Sequence, residues 1–573
     1  MSLELDVALR RIRSGVVARK IESSTLDFKV PSTRLKDTLA NLAEAAVCFA
    51  NAAGGTVVLG VADDVPGSAG IAGTGLTEDT VRRGIYERTS PGLDVSVTPV
   101  EFEGARLLRI DVREGLEVYG TSVGRYSWRR GTDCMPMTAD DVGRLREERR
   151  GDDWSARSAR HGGVELVDPT VLVRVRGLLS GLPDQSGVAG LRTAPDPDLV
   201  AGLGLLTPHG VLTHAGELML ARRRDDAPGI IYQYRRVGTG EPEAVLRLKE
   251  PLLVAVQRLI EAVELRLTHT PLNLAGGQQV AVPDFPPVVV REALMNAVVH
   301  GDHRTGRPVQ VEHSPDTLVI TSPGPLVAGV TPQNILRHPH RARFRSLFAA
   351  FHHLGLVEQV GLGIDRMYRE LLRFGRTPPQ IVEGRDEVMV TFVADRPNMR
   401  VARFVGQLQE RDREDLDVLL VLGLLRERRS VSAHAVASEI QRTPGDAQVV
   451  MRRLAEGASA LLEPTAGTAH RRYPNYRLRG PVLAELGSAV SYHRAPSDER
   501  DRKIVEHVEE YGSINNRTVQ NLFDVDVYRA STILRDLVAQ DVLVRTSEQT
   551  RGNAVRYGAG AAFPRTGRRR GRP

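Results

Sequence analysis

Apolar residues recur at helical spacing between 35 and 52, where Leu39, Leu42, Ala46 and Phe49 fall on one stripe. That stripe predicts an amphipathic helix. Gly54 and Gly55 follow it and suit a left-handed stop and a turn. Residues 56–61 form a short β-branched apolar run, the pattern of a buried strand. Further strands are predicted at 93–100 and 106–112, which makes 20–145 a mixed α/β region. The charged stretch 144–160, with Gly151-Asp152-Asp153 inside it, predicts a helix end and then a linker. A second α/β region covers 165–395, with strands at 230–237, 309–312 and 317–321 and helices at 248–268 and 288–299. A helix-rich part at 341–374 follows. From about 400 the pattern shortens. Residues 411–480 read as helix, turn, helix and a basic segment, and 500–560 repeat that layout. In the repeat, helices at 502–511, 513–523 and 528–540 precede a hairpin-like pair around Gly552-Asn553.

A length of 573 residues fits several domains rather than one, so the expected fold class is α/β multidomain. No run of about 18 apolar residues is present, and the first residues mix charge with apolar side chains. Both point away from a membrane span or a secretory leader. Cys48 and Cys134 are the only cysteines, too few for a disulfide framework or a thiolate zinc site, and they fit a reducing cytoplasm. The net charge of +6 is modest, but nearly all the positive charge is arginine, since lysine occurs only at 20, 29, 36, 249 and 503. Arginine's planar fork suits phosphate, so the bias is compatible with a nucleic-acid partner.

The candidate chemistry lies in two blocks. In the first, Glu22 and Asp27 lead into an alternating segment, and Asp63 closes the apolar strand. If the two strands lie side by side, three carboxylates converge at one strand end. Such a group can hold Mg2+ or Mn2+ through oxygen and activate water against a phosphodiester, with Lys29 opposing the phosphate charge. The run Glu22-Ser23…Leu26-Asp27-Phe28-Lys29, then Ala50-Asn51-Ala52-Ala53-Gly54-Gly55 and Leu59-Gly60-Val61-Ala62-Asp63, resembles the Schlafen/AlbA-like domain. Residues 126–132 resemble that domain's closing segment. The resemblance implies metal-dependent cleavage of structured RNA (tRNA-like) or DNA by Glu22, Asp27 and Asp63. For many bacterial relatives it implies nucleic-acid binding or regulation instead. No Gly-Lys dipeptide occurs, so a P-loop is absent.

In the second block, Glu292, Asn296 and His300 recur every four residues and share one helix face. Downstream, Pro323-Gly324-Pro325 and Gly361-Leu362-Gly363 are turns that can bring backbone N–H groups to a phosphate. Arg291-Glu292-Ala-Leu-Met-Asn296-Ala…His300-Gly-Asp302, with Gly324, Gly361 and Gly363, resembles the ATP-binding domain of the GHKL superfamily. The resemblance implies an α/β sandwich binding ATP, with Asn296 on magnesium, Glu292 positioning water, His300 and Asp302 within the motif, and Gly361 and Gly363 shaping a phosphate lid. His338, His340, His352 and His353 lack cysteine partners and helical zinc spacing, and read as surface or loop histidines.

Three helices and a two-stranded ribbon make the winged-helix arrangement, so 400–485 and 498–560 are read as two winged-helix domains after 1–150 (Schlafen/AlbA-like) and 151–399 (GHKL-like). The helix at 528–540 then offers Arg529 and Arg535, and the ribbon Arg545 and Arg556, to DNA. The tail 561–573 carries Arg570-Gly571-Arg572, which resembles an AT-hook core. Together these readings expect a nucleotide-gated nucleic-acid-binding regulator, with an endonuclease as the alternative, and the family resemblance adds a homo-oligomer.

Overall fold

The computed structural model describes residues 3–159, 162–183, 188–222, 227–273, 279–358, 361, 363–457, 459–465, 467–471, 473–491, 496–523, 525, 527–539, 541–547, 549, 555–561 and 563. Arg570, Arg572 and the Gly552-Asn553 turn lie outside them. The chain divides into two units: 1–421 with 433–453, and 422–432 with 454–573.

The first unit begins with a four-stranded sheet, in the order Leu26–Lys29, Gly55–Leu59, Ala105–Val112 and Ser96–Phe102. The first pair is parallel and the others antiparallel. Both sheet faces are covered. Helices Leu35–Ala50 and Glu78–Glu87 pack over Val57, Leu59, Leu108 and Ile110 on one side. Helix Leu3–Arg13, which the apolar pattern left unassigned, packs over Leu26, Phe28, Val58 and Leu107 on the other. Gly54 makes the tight return after the long helix. Its φ is +77°, and a Cβ there would lie 2.7 Å from the Val112 carbonyl oxygen.

The two cysteines are joined as a disulfide, which corrects their reading as a pair of reduced thiols. The hairpin formed by Ser127–Arg130 and Asp133–Pro136 lies against helix Leu35–Ala50 and brings Cys134 onto the buried Cys48. Eighty-six residues of separation hide that proximity from the sequence.

Residues 144–150 complete a helix, as the charged pattern predicts, but 151–159 do not form a free linker. Helix Ala139–Arg150 starts with a capping box between Thr138 and Asp141 and ends on Gly151 at φ +71°. Trp154 then stacks on His214 at 4.2 Å, and Asp153 and Ser155 accept the Ser346 and Leu347 N–H groups. The middle region is built on a six-stranded mixed sheet, ordered Ala244–Leu248, Ile230–Tyr234, Val309–His313, Thr317–Pro323, Glu387–Val393 and Gln380–Glu383. Val309, Val311, Leu318 and Ile320 turn into one core with helices Leu252–Glu264, Pro287–His300 and Gly363–Leu372. Gln310 and Glu312 face out, the alternation expected of a sheet covered on one side.

In the C-terminal part, helices Pro496–Tyr511, Asn516–Phe523 and Val527–Ala539 enclose Ile504, Val508, Val519, Ile533 and Leu537. Strands Leu543–Arg545 and Tyr557–Ala559 follow as an antiparallel ribbon. Before it, helices Leu416–Glu427, Ala433–Ile440 and Pro444–Glu456 precede a ribbon of Leu462–Pro464 and Tyr476–Leu478. Among the described residues no helix is long and apolar enough to cross a membrane.

Candidate functional site

The parallel pairing of Leu26–Lys29 with Gly55–Leu59 brings the first set of residues together. Asp27 is opposite Val57, so Asp27 and Lys29 look toward helix Leu35–Ala50 while Leu26 and Phe28 enter the opposite core. Past Leu59 the chain turns at Gly60, whose φ is +112°. The Gly60 and Val61 N–H groups donate to the Lys29 carbonyl, carrying Asp63 back over the strand end. Asp63 is fixed there by its own carbonyl, which accepts from Arg19 N–H at 3.0 Å.

Lys29 Nζ donates to Asp27 Oδ1 at 3.0 Å, and Asp27 is almost fully buried. Arg129 supports the same carboxylate from below. It donates to the Ser23 and Leu26 carbonyls, packs over the Phe49 ring at 4.9 Å and approaches Asp27 within 3.9 Å. Glu22 sits against Asp27, close enough to share a proton with it. Burial and the Asp27 charge push the Glu22 carboxyl up to about 7. Burial also raises Asp63, against the opposing pull of Lys29. Glu22 Oε1 and Asp63 Oδ1 are buried without a hydrogen-bond partner. Hard carboxylate oxygens with unused lone pairs fit a divalent cation in donor chemistry. Among the described residues, however, no three His, Cys, Asp or Glu side chains stand as a ready-made metal nest. Lys29 already occupies Asp27, so a cation would have to displace that ammonium.

The second set is divided by the structure. Helix Pro287–His300 projects Glu292, Asn296 and His300 into a cavity of about 180 Å3, whose rim includes Gly361 and Gly363. Gly361 is sterically required, and Gly363 leaves room for the end of the Glu292 side chain. A Cβ at Gly363 would lie 2.7 Å from Glu292 Oε2, and one at Gly361, where φ is +67°, 2.8 Å from the His340 Cβ. Glu292 pairs with Arg366 at 2.9 Å, and Arg366 also reaches Glu358. Burial, with His340 and Arg343 nearby, pulls His300 down to about 4, so its imidazole is neutral.

Asp302 and Gly324 do not line this cavity. Asp302 is buried under a bidentate grip from Arg304 at 2.9 and 2.8 Å, with Arg144 and Arg343 within 4.0 Å. These guanidiniums hold its carboxyl below the usual range despite burial. Gly324 is needed because a Cβ there would meet the Asp302 Cβ at 2.6 Å. The structure therefore makes these two a brace behind the cavity. Sequence reasoning missed Arg129, Arg343 and Arg366. Their signal, an arginine facing a carboxylate from a distant element, is lost in an arginine-rich chain.

In the C-terminal unit Arg529, Arg535, Arg545 and Arg556 are all exposed. Tyr528, 86 % exposed, is seven residues from Arg535 and shares its helix face, whereas Arg529 lies about 120° around the helix from Arg535.

These features define a multidomain α/β protein with a carboxylate site on one sheet and a helix-lined cavity on another. Residues 22–138 match the family model described as Schlafen, AlbA_2. Residues 306–392 match the model described as putative ATP-dependent DNA helicase recG C-terminal, an ATPase-type domain. The chain thus carries a Schlafen/AlbA-like domain followed by an ATPase-like one. It is also similar to the crystal structure of the DIP2311 protein from Corynebacterium diphtheriae, at 25% identity over 84% of this chain and 98% of that one, with a TM-score of 0.51. No curated protein matches it.

Proposed function

We propose that the chain is a nucleotide-responsive, nucleic-acid-binding protein. The observation that carries this reading is the convergence of Glu292, Asn296 and His300 on a cavity rimmed by Gly361 and Gly363, directly before and within the ATPase-like segment. ATP would place its base among the apolar walls, which include Ile320, Val388 and Val390. Asn296 would hold the accompanying magnesium. The AlbA-type domain and the helicase-derived name of the second match both favour nucleic acid as the other ligand. The helix-and-ribbon units supply winged-helix surfaces for duplex DNA, with Arg535 and Tyr528 on one helix face and Arg545 and Arg556 on the ribbon.

The unpaired oxygens of Glu22 and Asp63 favour a second reading, metal-dependent cleavage of structured RNA or DNA. Magnesium or manganese, held by Glu22, Asp27 and Asp63, would supply an activated water. Lys29 would place positive charge at the phosphate, and Arg129 would keep Asp27 oriented.

One experiment separates the readings. The full chain is mixed with labelled duplex DNA and with transfer RNA, with Mg2+ or Mn2+ and with or without ATP, alongside the Glu22→Ala/Asp63→Ala variant. A regulator gives ATP-dependent affinity that survives the double substitution. A nuclease gives products that the substitution abolishes. Affinity indifferent to ATP, with no cleavage, sinks both.

A further inference from the structure

Beyond His340 a second, larger cleft adjoins the cavity. Its volume is about 430 Å3, within the roughly 300–1,000 Å3 usual for small-molecule sites, whereas the cavity holds about 180 Å3. The adjoining cleft therefore offers the charged end of a nucleoside triphosphate a place next to the cavity. The two spaces share His340, Arg341, Arg343 and Phe348 as a common wall. His340 stands at the passage, packed on Gly361 and with its ring 4.6 Å from that of Phe348.

The cleft's charge is right for such an end. Helix Arg345–His353 turns Arg345, Phe348 and His352 onto one face, at helical spacing. Arg341 and Arg343 come from the preceding loop, while Glu148 and Asp152 stand opposite as the acidic members. Arg343 is already committed, donating to Glu148 at 2.5 Å and to the His300 and Pro325 carbonyls. Asp152 faces Arg157 at 3.8 Å. Arg341 holds Glu114 at 3.1 Å while still partly exposed. Arg345 is exposed and donates only to the Gly151 carbonyl, with no ion pair among the described residues. Burial lowers His340 and His353, so the standing positive charge comes from the two arginines. The helix N-terminus is not the recognising group, because Asp153 and Ser155 already accept from its first N–H groups.

We propose that this cleft is a phosphate subsite: it receives the distal phosphates of a nucleotide whose base and sugar occupy the cavity, with Arg341 and Arg345 as its donors. The inference rests on the nucleotide reading above and adds to it the residues that distinguish ATP from ADP. Both arginines now hold residues of the first 151 positions, Glu114 and Gly151. A phosphate that recruits them loosens those contacts.

The test is calorimetric titration of the full chain with ATP, ADP, adenosine and inorganic tripolyphosphate, in the wild type and in Arg341→Gln/Arg345→Gln. Wild type is expected to prefer ATP over adenosine, and the double variant to lose about ten- to a hundredfold of ATP affinity with adenosine binding unchanged. Adenosine binding also reports that the variant is folded. If the double variant loses adenosine as well, Arg345→Gln alone is read. ATP affinity equal to wild type in a folded variant overturns the subsite and leaves the nucleotide reading standing. If wild type binds tripolyphosphate but no nucleotide, the nucleotide reading fails while an anion cleft survives. Binding of none of the four overturns both.

Discussion

Single residues in this protein are constrained mainly by what they face. The Glu22 carboxyl is pushed up to about 7 because burial and the neighbouring Asp27 oppose its charge. Its folded value lies above the ordinary 4.5, so the folded chain binds the extra proton and is favoured below that value. That stabilisation is lost as pH rises from about 4.5 through about 7. Glu22→Gln is therefore expected to flatten melting temperature against pH across this window and to raise it at pH 8. A variant curve parallel to wild type would remove the proton-sharing account. Gly54 makes a simpler case. With φ at +77° and a carbonyl oxygen 2.7 Å from the site of a Cβ, Gly54→Ala should cost about 1–3 kcal/mol, measurable by urea unfolding. That glycine was legible as a turn from its place after an apolar stripe. The crowding at Gly361 and Gly363 was not, since the atoms that crowd them, on His340 and Glu292, are distant in sequence.

At the scale of elements, local pattern and long-range pairing part company. The helices Leu35–Ala50 and Pro287–His300 and the strands Gly55–Leu59, Val309–His313 and Thr317–Pro323 were readable because periodicity is a local property. Strands Ala244–Leu248, Gln380–Glu383 and Glu387–Val393 escaped notice. They are short or carry polar residues on their open face, and only the assembled sheet explains them. The end of helix Ala139–Arg150 was legible in the charged stretch from 144, but the partners of its charges were not. Its Glu147 and Glu148 meet Arg304 and Arg343 at 2.5 Å, beside the buried Asp302. Removing one partner of such a pair strands a buried charge. Arg343→Ala should accordingly lose about 3–5 kcal/mol, and Glu148→Gln in the same chain should recover part of it. Strictly additive losses in that double-mutant cycle would mean that the two side chains do not interact.

Across the whole molecule, the order of domains was more legible than their chemistry. Ordered motifs marked the Schlafen/AlbA-like and ATPase-like segments, but three carboxylates in sequence did not reveal that Lys29 lies on one of them. A nucleic-acid partner gathered by arginines makes affinity fall with salt. Arg535→Ala and Arg545→Ala should each reduce the slope of log affinity against log salt by about 1, and an unchanged slope would place the nucleic acid elsewhere. One feature of the first unit reaches further. On strand Ser127–Arg130, Arg129 reaches the Ser23 and Leu26 carbonyls beside Asp27, while its neighbour Arg130 reaches Glu383 at 2.9 Å, so adjacent positions serve different domains. The Cys48–Cys134 bridge clamps that alignment a few residues downstream. With that anchor downstream, a change of loop length before the strand is taken up in the loop, whereas a one-residue deletion between Arg130 and Cys134 would draw Arg129 toward Glu383 and Trp128 beside Asp27. The short span between strand and bridge thus decides which guanidinium serves which domain.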